Sequence, residues 1–80
     1  MRKRVIDFKR TGAKIKSLME EKELSVKNIA DTVKVSEATV YYWIKGEKKP
    51  SLAHIVNLSS IFDVSIEDLL VIELKTSKPL

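Results

Sequence analysis

The sequence predicts an all-α domain of five short helices. Three observations carry this. Apolar residues recur at i, i+3, i+4 along most of the chain, whereas strand-like alternation is scarce. There are only two Gly and two Pro in 80 residues, too few for a turn-rich sheet protein. Serines stand where apolar stripes begin, as helix N-caps do.

The first helix is expected over roughly residues 9–22. Ile15, Leu18 and Met19 form its apolar stripe, and Phe8 and Gly12 extend it backwards. The second opens on Ser25 and turns Val26, Ile29, Ala30 and Val33 inward. The third opens on Ser36 with Glu37 in its first turn, where a negative charge suits the helix dipole. Val40, Trp43 and Ile44 are its apolar stripe, and Gly46 supplies the left-handed residue that ends it. Pro50-Ser51 opens a fourth helix with Leu52, Ile55, Leu58, Ile61 and Phe62 as its buried side. Ser65-Ile66-Glu67-Asp68 has the form of a capping box with Asp in place of Glu, and starts a short fifth helix. An apolar residue precedes two of these caps, Val35 and Val64, and sets the entry angle of the chain.

The chain ends are different in kind. Val71–Leu74 and Val5-Ile6 are apolar and β-branched. They are compatible with short terminal strands that pair within one chain or between two. Lys75–Leu80 reads as a frayed tail. The division expected is a basic N-terminal arm over residues 1–10, a folded domain over 11–70 and an extension over 71–80.

Length and composition narrow the function classes. Eighty residues make one domain. There is no cysteine, which fits a reduced, cytoplasmic location. No apolar run is long enough for a bilayer, and the basic start lacks a signal peptide's apolar centre. Net charge is +4, unevenly spread. Residues 1–16 hold seven Lys or Arg against one acid, residues 17–50 hold six of each, and residues 51–80 hold two against four. A cationic end suits a polyanion partner; it also suits a solubilising tail. His54 is the single histidine and stands without Cys or clustered acids, so it is read as a surface residue and not a metal ligand. No nucleophile–base–orienter set can be assembled, so no catalytic residue, cofactor or small-molecule ligand is expected.

The stretch Leu24–Pro50 carries the functional signal. Two amphipathic helices are separated only by the sharp turn between Val33 and Ser36, with small Ala30 at their crossing. This is the helix-turn-helix arrangement, in which the second helix lies in the DNA major groove. With Val40, Trp43 and Ile44 buried, the opposite face presents Glu37, Ala38, Tyr41, Tyr42 and Lys45, with Thr39 at its edge.

Residues 15–70 resemble the phage-repressor/Cro type of helix-turn-helix domain, the XRE family. The resemblance lies in Ile15, Leu18, Leu24-Ser25, Ile29-Ala30, Val35-Ser36, Thr39-Val40, Trp43, Gly46, Pro50-Ser51, Leu52, Ile55, Leu58, Phe62–Ser65 and Leu69-Leu70. It implies a five-helix bundle of the lambda-repressor-like type that binds double-stranded DNA, usually as a two-fold homodimer. Three departures stand out. Val26 occupies the place of a phosphate-binding Gln, although the helix-start N–H groups remain. Met19 and Ile44 replace an Arg–Glu pair, so apolar packing is expected in place of a buried ion pair. Glu23, Lys34 and Asp63 stand where glycines are frequent after helices one, two and four. If they keep the left-handed conformation, each carries a cost of order 1 kcal/mol.

The usual bidentate base readers, Arg, Lys, Asn and Gln, are missing from the first two turns of helix three. The base-reading candidates are Glu37 toward a cytosine amino group, Ala38 and the Thr39 methyl toward thymine methyls, and Tyr42 as a hydrogen-bond donor. Glu37 could equally serve only the helix start, and Tyr41 is assigned to packing. Ser25, Lys27, Ser36, Lys45, Lys48 and Lys49 are the phosphate-contact candidates. Arg2, Lys3 and Arg4 form either a DNA-reaching arm or a solvated tail. The resemblance places dimer contacts at Pro50, Ile66 and Val71. Two functions fit: a transcriptional regulator of repressor/Cro type, as found in phages and mobile elements, or a protein-interaction module such as an antitoxin on the same scaffold.

Overall fold

Each of the five helices starts on a side-chain cap, and four of the caps are serines. The structure, a computed structural model, describes residues 2–76. Its elements are β1 (Arg2–Ile6), α1 (Phe8–Glu21), α2 (Val26–Val33), α3 (Glu37–Lys45), α4 (Leu52–Phe62), α5 (Ile66–Leu69) and β2 (Ile72–Thr76). Asp7 caps α1 by accepting from the Arg10 N–H at 2.9 Å. Ser25, Ser36, Ser51 and Ser65 accept from the N–H groups of Asn28, Thr39, His54 and Asp68. The reciprocal capping box forms at α2, where Asn28 Oδ1 accepts from the Ser25 N–H at 2.9 Å. At α5 the Ser65 half alone is made, which corrects the expectation of a full box there. The Asp7 carboxyl is held below its ordinary range, chiefly by the Arg10 N–H. A depressed carboxyl stabilises the fold at neutral pH, and that contribution is lost as pH falls through the acid range.

Helix ends follow one plan. Glu23, Lys34, Gly46 and Asp63 take left-handed φ values of 56°, 59°, 74° and 53°. After each, the next N–H donates back to a carbonyl five residues earlier: Leu24 to Met19, Val35 to Ala30, Glu47 to Tyr42 and Val64 to Ser59. This is the Schellman closure. Leu24, Val35 and Val64 are half-buried against the core. One apolar residue therefore closes one helix and leads into the cap of the next. Lys34 pays for its conformation with strain of roughly 1 kcal/mol. Lys34→Gly is expected to raise the melting temperature by about 5 °C. Thermal unfolding followed by circular dichroism checks this, and an unchanged or lower value refutes it.

The core is drawn from every helix: Ile15, Leu18 and Met19; Ile29, Ala30 and Val33; Val40 and Trp43; Ile55, Leu58 and Phe62; and Leu69. Leu52 does not join it. It lies in the first turn of α4, beyond the inward line of Ile55, Leu58 and Phe62, and is 72% exposed. His54 is half-buried, not a surface residue, with its ring 5.0 Å from the Trp43 ring and Nδ1 3.0 Å from Ser51 Oγ.

The two ends pair within the chain. β1 and β2 form an antiparallel ribbon in the register Arg2↔Thr76 to Ile6↔Ile72. Arg2, Lys3 and Arg4 thus lie on a strand. The described part of segment 1–10 comprises that strand, Asp7 and the first residues of α1. Lys75 and Thr76 belong to β2, and the rest of the expected tail, residues 77–80, lies outside the described residues. The ribbon is tied to the bundle at its root. Asp7 N–H donates to the Val71 carbonyl at 2.8 Å, and the Val71 N–H donates to Oγ1 of buried Thr11 at 3.0 Å.

Candidate nucleic-acid interface

The α2–α3 turn is fixed by local chemistry. Lys34 reverses the chain, Val35 donates to Ala30, and Ser36 caps α3. Ala30 is 2% exposed, consistent with a small side chain where the two helices cross. α3 is then oriented by α1 through Gly12. A Cβ on Gly12 would overlap the Trp43 carbonyl oxygen and lie 2.5 Å from that of Ile44. The backbone of α1 therefore lies directly on the last turn of α3. Gly46 repeats the device: its φ is positive, and a Cβ there would lie 2.6 Å from Lys9 Cα.

With Val40 and Trp43 buried, α3 presents Glu37, Ala38, Tyr41, Tyr42 and Lys45 to solvent. Thr39 is half-buried, and its hydroxyl is 2.8 Å from Ser36 Oγ. Tyr42 is 37% exposed, with the Lys48 ammonium 4.4 Å from its ring centroid. The Lys49 ammonium lies 5.2 Å from the Phe8 ring. Such cation–π contacts hold a long side chain in place at modest energy. Lys45, Lys48 and Lys49 thus gather at the C-terminal end of α3. Ser25, Lys27 and Ser36 are exposed at the two helix starts, and Ser25 Oγ accepts its cap bond while keeping an O–H to donate.

Several placements differ from the sequence reading. Tyr41 is 50% exposed and borders a concavity of about 490 Å³ that Met19, Leu24, Val26 and Ile44 also line. The Met19 and Ile44 replacements thus share one apolar surface between α1 and α3. Pro50 is buried, and Ile66 and Val71 are half-buried. Nothing in the local sequence singles out Lys9. Its backbone abuts Gly46, so it leaves α1 at the same end as Lys45, Lys48 and Lys49. No local pattern signals that long-range contact. Among the described residues, no group of three His, Cys, Asp or Glu side chains could hold a metal ion, and no helix is long and apolar enough to cross a membrane.

A capped helix pair with a tight left-handed turn, an exposed second helix and lysines at its end define a helix-turn-helix DNA-binding domain. Residues 14–75 match the model of the Cro/C1-type HTH DNA-binding domain, and the chain belongs to that family. The family is one of DNA-binding transcription regulators, not of enzymes. The fold is shared with the restriction-modification controller protein C.AhdI from Aeromonas hydrophila, at 24% identity over 79% of this chain and 96% of that one, with a TM-score of 0.73. It is also similar to a transcriptional regulator from Listeria innocua, at 30% identity and a TM-score of 0.72, covering 75% of this chain and 56% of that one. The biofilm regulator SinR, solved in complex with DNA, matches at 25% identity over 74% of this chain and 95% of that one, with a TM-score of 0.67. No curated protein sequence matches significantly.

Proposed function

We propose that this DNA-binding regulator is a sequence-specific repressor of Cro type that acts as a homodimer in the cytoplasm. The observation that carries the reading is the exposed face of α3 bounded by Lys45, Lys48 and Lys49. In this reading Glu37, Ala38, Thr39 and Tyr42 meet base edges. Ala38 and the Thr39 methyl favour thymine methyls, and Glu37 favours a cytosine amino group. The lysines, with Lys27 and the hydroxyls of Ser25 and Ser36, hold phosphates and set the register without reading sequence. In this reading Arg2, Lys3 and Arg4, carried on β1, reach along the DNA backbone or into a minor groove. A dimer gains affinity by occupying two half-sites about one helical turn apart, roughly 34 Å. Glu37 repels phosphates as well, which lowers non-specific binding more than specific binding.

The test is a gel shift with the DNA upstream of the protein's own coding region at moderate salt. Specific retardation, resisted by unlabelled random duplex only at large excess, is the expected result. Absence of specific binding there, with stable capture of a protein encoded next door, would replace this reading by the interaction module.

A further inference from the structure

We propose that the concavity between α1 and α3 is a binding site for a small amphipathic monocarboxylate, an apolar chain with one carboxylate head such as a medium-chain fatty acid. The site stands apart from the DNA reading; its effect on DNA rests on that reading.

The concavity follows from how the two helices cross. Gly46 lies against Lys9, and Gly12 against the last turn of α3, so α3 runs back along α1 from that crossing. Past the crossing a hollow of about 490 Å³ opens, lined by Met19, Leu24, Val26 and Ile44. Its volume falls in the range of small-molecule pockets, about 300–1,000 Å³. Its make-up matches theirs too: apolar walls with a few polar groups gathered at one end. Apolar surface of this kind is costly to leave to water, and a chain that covers it gains by doing so.

The charge lies on the rim. Lys16 and Glu20 on α1 and Lys45 on α3 border the hollow, and all three are exposed. Among the described residues none of them is in a salt bridge. Two cations against one acid suit a ligand with a single negative charge. Lys45 precedes Gly46, and Lys16 lies one helical turn past Gly12, so both cations stand at the crossing end. Glu20 stands a further turn, about 5.4 Å, along α1. The head is therefore drawn to the lysines, and Glu20 repels a ligand lying the other way round. The tail runs over Met19 toward Leu24 and Val26, which follow the end of α1. Tyr41, one turn before Lys45 and 50% exposed, supplies a side wall.

Lys45 links this site to DNA. A carboxylate that holds its ammonium competes with a phosphate for the same group.

The test is calorimetric titration of the full chain with octanoate, with octanol as the neutral probe. Saturable one-to-one binding is expected, tightening about two- to fourfold per added methylene from hexanoate to decanoate. Lys16→Glu should weaken octanoate about tenfold and leave octanol unchanged. Tyr41→Ala should weaken both about fivefold. Amide shifts on titration should centre on Met19, Leu24, Val26 and Ile44. Absence of saturable binding, which would leave the hollow to a protein side chain, overturns the proposal. So do equal losses of acid and alcohol with Lys16→Glu, or shifts centred on exposed Leu52 and Val56 of α4. For duplexes selected from a randomised pool, saturating octanoate should weaken binding on the order of tenfold, and equimolar acetate should not. If octanoate binds as described and duplex affinity holds, the site stands and the competition at Lys45 fails. If no duplex is selected, the DNA reading fails and the site stands on the calorimetry.

Discussion

Replacing Gly12 by alanine is expected to remove much of the stability of this domain. The added methyl has nowhere to go, because the atoms it meets are backbone carbonyls of Trp43 and Ile44, not the tips of side chains. Overpacking a soft core costs about 1–3 kcal/mol, and a clash against backbone lies at or beyond the top of that range. A domain of this size has on the order of 4–12 kcal/mol in total. The melting temperature should fall by more than about 10 °C. Ala13→Gly serves as the control, since Ala13 is exposed on the same helix and should lose only about 1 kcal/mol of helix propensity. Urea unfolding of both variants decides the matter. A Gly12→Ala protein no less stable than the control would show that α1 does not rest on α3 in this way.

The second large effect concerns DNA. Replacing Lys45, Lys48 and Lys49 together with alanine should leave the fold intact, since all three are exposed. Each phosphate contact contributes a slope of about −0.9 in log affinity against log salt. Loss of three in each protomer of the proposed dimer removes six contacts, which should flatten the salt dependence by about 5.4 and weaken binding on the order of ten-thousandfold near physiological salt. The preference among related duplexes should survive, because phosphate contacts position and base contacts specify. Fluorescence anisotropy at four or more salt concentrations gives both quantities. An unchanged slope would show that none of the three lysines holds a phosphate, with Lys48 and Lys49 staying on Tyr42 and Phe8 when DNA is bound.

The helix boundaries were legible because their signals are local. Serine caps, Gly46 and the apolar residues Val35 and Val64 act over three to five residues, and the structure places each where the sequence reading did. The left-handed conformation of Glu23, Lys34 and Asp63 was legible through the family pattern, not from their own propensity. What escaped was long-range or finely balanced. Gly12 read as one more position on a stripe, because nothing in its neighbourhood announces that α3 lies against its backbone. Leu52 read as core, because periodicity counts turns without knowing where neighbouring helices end. The Asn28 box went unseen because Asn is not the usual partner for that place. The ribbon was legible only as two apolar β-branched ends, with same-chain and between-chain pairing both open until the register Arg4↔Leu74 placed them. On the recognition surface, the face of α3 followed once Val40 and Trp43 were assigned inward. The settings of Lys48 and Lys49 on aromatic rings depend on the loop path and could not be read ahead.

The exchange of an Arg–Glu pair for Met19 and Ile44 has a consequence for how this protein senses its ionic surroundings. Its interior is joined by apolar contacts, and among the described residues the ion pair within reach joins exposed Arg10 to half-buried Asp7. Dissolved salt has little purchase on such contacts, whereas in the proposed complex it would compete directly for every phosphate contact of the lysines. Rising ionic strength should strip the regulator from its operator long before it loosens the helices. The released molecule is then still folded, and it can rebind as soon as the salt falls.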